Sequence, residues 1–124
     1  MLKDSIRARI TFGRKISKKT GKIIGEDTTF TIHKKANVFT LVNLENLDVI
    51  NNQKMIFYLD WIGPDNSSIY KKKIEFSRGD TSSTLSSSIS ISPKKRQPGD
   101  YLLRVYFFKE LIAEKKFELT TKVP

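Results

Sequence analysis

The chain has no cysteine, a single histidine and a single tryptophan, and no apolar run approaches the ~18 residues a membrane-spanning helix needs. Without cysteine there are no disulfides, thiolate metal sites or cysteine nucleophiles. The opening residues carry charges where an export signal needs an apolar stretch, so no signal is visible. His33 lies beside Lys34 and Lys35 with no G-x-S-x-G turn and no patterned serine to serve, so it reads as a surface residue rather than a general base. One histidine leaves mainly oxygen ligands for a metal. Asp60, Asp65 and Asn66 bracket one turn, but they lack the dense acidic alternation of a calcium loop, and a hydrogen-bonded turn explains Asp65-Asn66 without a metal. The glycines are isolated, with no Walker or dinucleotide pattern. Neither a metal nor a cofactor is expected, no residue is assigned to catalysis, and the chain does not read as an enzyme.

What is abundant is positive charge. The net charge is +10, and residues 1–35 hold ten Lys and Arg against three Asp and Glu. The remaining residues are nearly balanced, so the surplus sits at one end of the chain. Such a surplus is compatible with nucleic acid or acidic glycans, and equally with lysines that solubilise hairpin tips and protect sheet edges. Lys18, Lys19 and Lys22 form one basic cluster, and Lys94, Lys95 and Arg96 another. Tyr70 beside Lys71, Lys72 and Lys73 interleaves a ring with cations, as single-strand binders do, but its register points it inward.

The apolar residues alternate at the two-residue period of strands, and no helical period is defensible. The strongest signal follows Pro98-Gly99, where Tyr101, Leu103, Val105 and Phe107 share a face. Met55, Phe57, Leu59 and Trp61 share another. Further strands are read over 5–12, 28–33, 37–44, 68–76, 85–91 and 111–119, the last with Leu111, Ala113, Phe117 and Leu119 on one side. Residues 13–25 read as a polar hairpin tip, 45–53 and 78–84 as loops, and 120–124 as a tail. The strand at 37–44 is apolar on both faces, which implies either a second covering layer or an exposed surface. The whole chain, 1–124, reads as one all-β domain, an antiparallel sandwich of about seven to nine strands.

The order of landmarks resembles an immunoglobulin-like sandwich. Trp61 stands where that fold buries a core tryptophan, Gly99-Asp100-Tyr101 looks like its tyrosine corner, and Leu103 occupies the place of a core cysteine. The absent cysteines depart from the antibody branch. From Pro98 to Leu119 the chain is similar to the end of many bacterial immunoglobulin-like accessory domains. The resemblance implies binding or spacing rather than chemistry, and it transfers no functional residues.

One anomaly points to a surface. Opposite the core face of the Trp61 strand lie Ile56, Tyr58 and Ile62, and across from them, if the strands neighbour, lie Tyr106, Phe108 and Ile112. A two-layer sandwich leaves that side polar, so either the N-terminal hairpin covers it or it is an interface. The expected function is a non-catalytic binding or assembly module that docks a protein partner or a second copy through Ile56, Tyr58, Tyr106, Phe108 and Ile112. The alternative, ranked below it, is binding of nucleic acid or acidic glycan through the two basic clusters. The compartment is not fixed; the cell envelope or a secreted location, with a leader removed, is favoured over the cytoplasm.

Overall fold

A computed structural model describes residues 6–47, 54–76 and 83–121. The expected loop segments 48–53 and 78–82, the start of the first strand at Ser5 and the tail at 122–124 lie outside the described residues. Among the described residues ten strands run in chain order: β1 Arg7–Gly13, β2 Lys15–Ile16, β3 Ile23–Ile24, β4 Thr29–Thr31, β5 Asn37–Glu45, β6 Met55–Ile62, β7 Ser68–Phe76, β8 Ser83–Ser90, β9 Gly99–Phe107 and β10 Glu110–Thr120. Eight match the strands read from alternation. The additional two, β2 and β3, are the arms of the hairpin expected over 13–25.

Two sheets form the sandwich. One has the order β1-β5-β8; the other has the order β4-β10-β9-β6-β7, and β2-β3 is a separate ribbon. All pairings are antiparallel except β4 with β10. Among the described residues no helix is long and apolar enough to cross a membrane.

Alternation determines the core. Val38, Thr40, Val42 and Leu44 of β5 face inward against Met55, Phe57, Leu59 and Trp61 of β6, and all are buried. Tyr101, Leu103, Val105 and Phe107 of β9 complete the inner layer, with Leu103 fully buried at the cysteine position. Phe117 of β10 is the centre of an aromatic cluster that draws on both sheets: its ring lies 4.8 Å from Phe12, 5.4 Å from Tyr101, 5.7 Å from Trp61 and 6.4 Å from Phe30. Burying each such side chain is worth about 1.5–3 kcal/mol, so the cluster supplies much of what a cysteine staple supplies elsewhere. The buried indole N–H of Trp61 donates to Ser87 Oγ on the opposite sheet at 2.9 Å. An unpaired buried N–H would be costly.

The tyrosine corner is formed. Tyr101 donates its hydroxyl to the Gln97 carbonyl at 2.7 Å and accepts from the Gln97 N–H at 3.2 Å. The preceding Gly99, at φ 147°, lies so close to Pro64 that an added Cβ would sit 3.1 Å from its ring.

Four register details differ from the alternation read along the chain, the first being Ile62, expected on the outer face but buried beside a shift in pairing after Trp61. A bulge between Leu111 and Ala113 inserts one residue into β10, so Leu111 opposes Tyr106 on the outer face and is exposed, while Ala113 opposes Val105 inside. The turn joining β9 to β10 falls on Phe108-Lys109 rather than Lys109-Glu110. Tyr70 occupies the core-side register, opposite Trp61, yet lies on the edge strand β7 and is exposed.

The β2-β3 hairpin packs against β5, with Ile16 beside the outward Phe39, and Phe39 and Leu41 are half-buried. That accounts for a strand apolar on both faces. Gly13 makes the approach possible: a Cβ there would lie 2.5 Å from Ile23 Cγ2 and 2.9 Å from the Ile24 carbonyl, the same carbonyl that accepts from Arg14 N–H.

Two outcomes follow for stability. Gly13→Ala forces the hairpin off β5 and is expected to cost about 1–3 kcal/mol in chemical denaturation; an unchanged midpoint contradicts the close approach. Tyr101→Phe removes the corner bond at an expected cost of about 1–2 kcal/mol near neutral pH. Burial raises the Tyr101 phenol above its ordinary 10.0, with the bond to Gln97 and the charge of Arg96 pulling the other way. The native state thus favours the neutral phenol. Its contribution is complete below pH 10 and is lost as pH rises through the raised native value. The stability gap between wild type and Tyr101→Phe should therefore narrow in alkali; a widening gap contradicts the sign.

Candidate functional site: an aromatic face on the five-stranded sheet

The inward turn of odd-numbered residues on β6 compels Ile56, Tyr58 and Asp60 to face out, and the same parity on β9 turns Arg104 and Tyr106 out. Pairing of β6 with β9 sets Tyr58 directly opposite Tyr106 and Asp60 opposite Arg104. On the other flank, β7 sets Lys71 opposite Asp60 and Lys73 opposite Tyr58. Both tyrosines are half-buried. The Lys71 ammonium lies over both rings, 5.5 Å from the Tyr58 centroid and 5.6 Å from that of Tyr106. A cation shared between two π-faces holds the pair of phenols and presents a positive charge above them.

The adjoining row is polar. Asp60 is only 6% exposed and accepts from the Ser68 hydroxyl at 2.6 Å. Arg104 Nε donates to Glu114 Oε2 at 3.2 Å, and Glu114 first, then the Tyr106 hydroxyl, holds the guanidinium above its ordinary pKa. At the rim, Glu75 bridges Lys54 and Lys73 at 3.2 and 3.3 Å, which keeps its carboxyl below the usual range, with Lys54 the larger cause. The surface is thus an aromatic centre ringed by paired charges rather than a bare apolar patch.

Of the residues expected to form this surface, Ile56, Tyr58, Tyr106 and Phe108 belong to it. Phe108 is exposed, its N–H donates to the Ile56 carbonyl at 2.8 Å, and its ring meets Phe107 edge-on at 4.6 Å. Ile112 stands apart. The bulge carries it off the outer face, and it packs against the core near Ile6 and Ala8; exposed Leu111 takes its place. The hairpin lies on β5, on the other sheet, and leaves this face open. Lys71, Asp60 and Arg104 are the partners that strand alternation alone did not select. Neighbour pairing was needed to bring them together.

The two basic clusters lie on separate elements. Lys18, Lys19 and Lys22 are exposed at the β2-β3 tip, while Lys94, Lys95 and Arg96 line a cleft between the β6-β7 and β8-β9 turns. His33 is exposed and its Nδ1 accepts from the Lys35 N–H. Asp65 is occupied by the Ser67 hydroxyl and N–H, which hold its carboxyl low. Asn66, at φ 66°, takes the left-handed place in that turn.

No protein-family model matches the chain, and no curated protein matches it. Solved structures do. An immunoglobulin-like protein from Pseudomonas aeruginosa is 17% identical, with a TM-score of 0.57 over 93% of this chain and 96% of that one. An alkylpurine DNA glycosylase from Pseudomonas fluorescens, bound to DNA containing an abasic site analogue, is 13% identical, with a TM-score of 0.54 over 94% of this chain and 30% of the glycosylase. At these identities the likeness is one of fold. The chain has the all-β, immunoglobulin-like architecture found in bacterial proteins, with its tyrosine corner and core tryptophan in place.

Phe108 gives a test of what the face is for. Its φ of 54° is left-handed, which costs a bulky residue about 1–2 kcal/mol. The edge contact with Phe107 returns about 0.5–1.5 kcal/mol. Phe108→Asn relieves the first and loses the second, so the melting free energy should change by less than about 1 kcal/mol. A loss above about 2 kcal/mol would show the ring to be part of the core.

Proposed function

We propose that this domain is a non-catalytic docking module that binds an acidic protein surface through the Tyr58–Tyr106 face. The observation that carries the reading is the Lys71 ammonium poised over two paired, half-buried tyrosines on a face that the β2-β3 hairpin leaves open. Tyrosine and arginine are the side chains that most often anchor protein interfaces. The exposed side chains of Phe108 and Leu111 extend the apolar centre, and a partner carboxylate meeting Lys71 gains a charge-assisted contact in partly desolvated surroundings. The net charge of +10 steers an acidic partner and repels a second copy.

Binding of nucleic acid or acidic glycan ranks second. In its favour are the basic clusters and the fold shared with a DNA-bound glycosylase. Against it, Lys18, Lys19 and Lys22 share none of the described cavities with Lys94, Lys95 and Arg96. That reading requires affinity for heparin or single-stranded DNA that falls steeply with salt.

The test is affinity capture with wild type, Tyr106→Thr and Lys71→Glu, each checked for an unchanged melting temperature. A specific acidic partner retained by wild type should bind at least about tenfold more weakly to both variants. Equal retention by all three contradicts the reading. So does a wild-type dimer by sedimentation that dissociates in the variants, since it would assign the face to a second copy.

A further inference from the structure

At one end of the sandwich the β6-β7 turn, residues 63–67, faces the β8-β9 turn, residues 93–97, across a cavity of 370 Å³. Its lining gathers three cations, Lys94, Lys95 and Arg96, against one carboxylate, Asp65. That excess of two positive charges matches the charge of a phosphate monoester near neutral pH.

Several donors that line this cleft are already occupied. The N–H groups of Lys95 and Arg96 both donate to the Ser92 carbonyl, at 3.0 Å each, and the Gln97 N–H donates to Tyr101. The Tyr101 hydroxyl is spent on Gln97 and the Ser67 hydroxyl on Asp65. The Arg96 Nη1 donates to the Lys95 carbonyl at 3.0 Å. The Arg96 Nε–H is buried and has no hydrogen-bond partner among the described residues. A buried guanidinium N–H left unpaired is costly, and such groups in native proteins usually mark a missing partner. Because the N–H groups of Lys95, Arg96 and Gln97 are used, an incoming anion is recognised chiefly by side chains. Arg96 offers a planar fork and the two lysines offer point charges.

We propose that this cleft binds the phosphate group of a monoester, gripped by the Arg96 guanidinium and flanked by Lys94 and Lys95. The site is separate from the tyrosine face and stands or falls independently of it. The net excess of two positive charges favours a dianion over a singly charged carboxylate, although Asp65 itself repels both. Tyr101 positions rather than binds: by fixing Gln97 it holds the turn that carries Arg96.

The experiment follows the Arg96 Nε–H cross-peak and the amides of Lys94 and Lys95 by nuclear magnetic resonance. Inorganic phosphate, O-phosphoserine, acetate and chloride are added in turn at matched ionic strength. Saturable shifts with phosphate and phosphoserine, and none with acetate or chloride, are expected. Tighter binding of phosphoserine assigns the site to a phosphorylated molecule, and tighter binding of phosphate assigns it to the free ion. Arg96→Lys should weaken binding by about tenfold or more, because the fork is lost. The exposed double substitution Lys94→Ala/Lys95→Ala weakens it without touching the buried donor, and serves if changes at Arg96 disturb folding. Shifts that do not saturate, that are equal for all four anions, or that survive both sets of substitutions overturn the proposal.

Discussion

The bond from the Trp61 indole to Ser87 joins the two sheets of a sandwich that has no covalent cross-link. Its donor is wholly buried among Phe12, Phe117 and the aliphatic core, so the indole N–H either finds an acceptor there or leaves the core. Ser87 supplies that acceptor from the inward register of β8, between Leu85 and Ile89. The bond therefore couples the register of β8 to that of β6. The preceding residue, Ser86, presents its carbonyl to the Lys72 ammonium at 2.8 Å, which ties the β7 and β8 edges together. At the opposite seam Lys115 reaches the Ile10 carbonyl at 3.2 Å and lies over the Phe12 ring. Edge carbonyls occupied by lysine in this way are poor templates for a foreign strand.

The outer face follows from the inner one. Since strand alternation is strict between bulges, placing Phe57, Leu59 and Trp61 inside leaves no choice about where Ile56, Tyr58 and Asp60 go. The same rule on β9 directs Arg104 and Tyr106 outward, and the direct pairing of β6 with β9 brings the two tyrosines together. The two faces of the molecule then differ in a way that matters. The β5 side is covered by the β2-β3 hairpin, which Gly13 allows to approach. The β6-β9 side carries its aromatic pair under nothing heavier than a lysine.

Much of this was legible in the chain because it rests on period and on local turn chemistry. The eight principal strands, the buried tryptophan and the tyrosine corner all come from patterns a few residues long. What was not legible depends on neighbours distant in sequence. A bulge is one extra residue in one strand and leaves no mark in composition, so Leu111 and Ile112 were expected on the wrong sides. Ser87 looked like any other serine in a serine-rich strand until β6 brought an indole opposite it. Lys71 reads as a solvated charge until the pairing of three strands places it over two rings. The destination of the hairpin was likewise open, because either apolar face would have gained from a cover.

The account rests on a dry, sealed seam between the sheets, and the exchange rate of the Trp61 indole hydrogen reports on it directly. Followed by nuclear magnetic resonance in deuterated buffer, that hydrogen should exchange only through global unfolding, as slowly as the most protected amides of β6 and β9. Exchange at the rate of a free indole, or through local opening well below the global limit, would contradict the account.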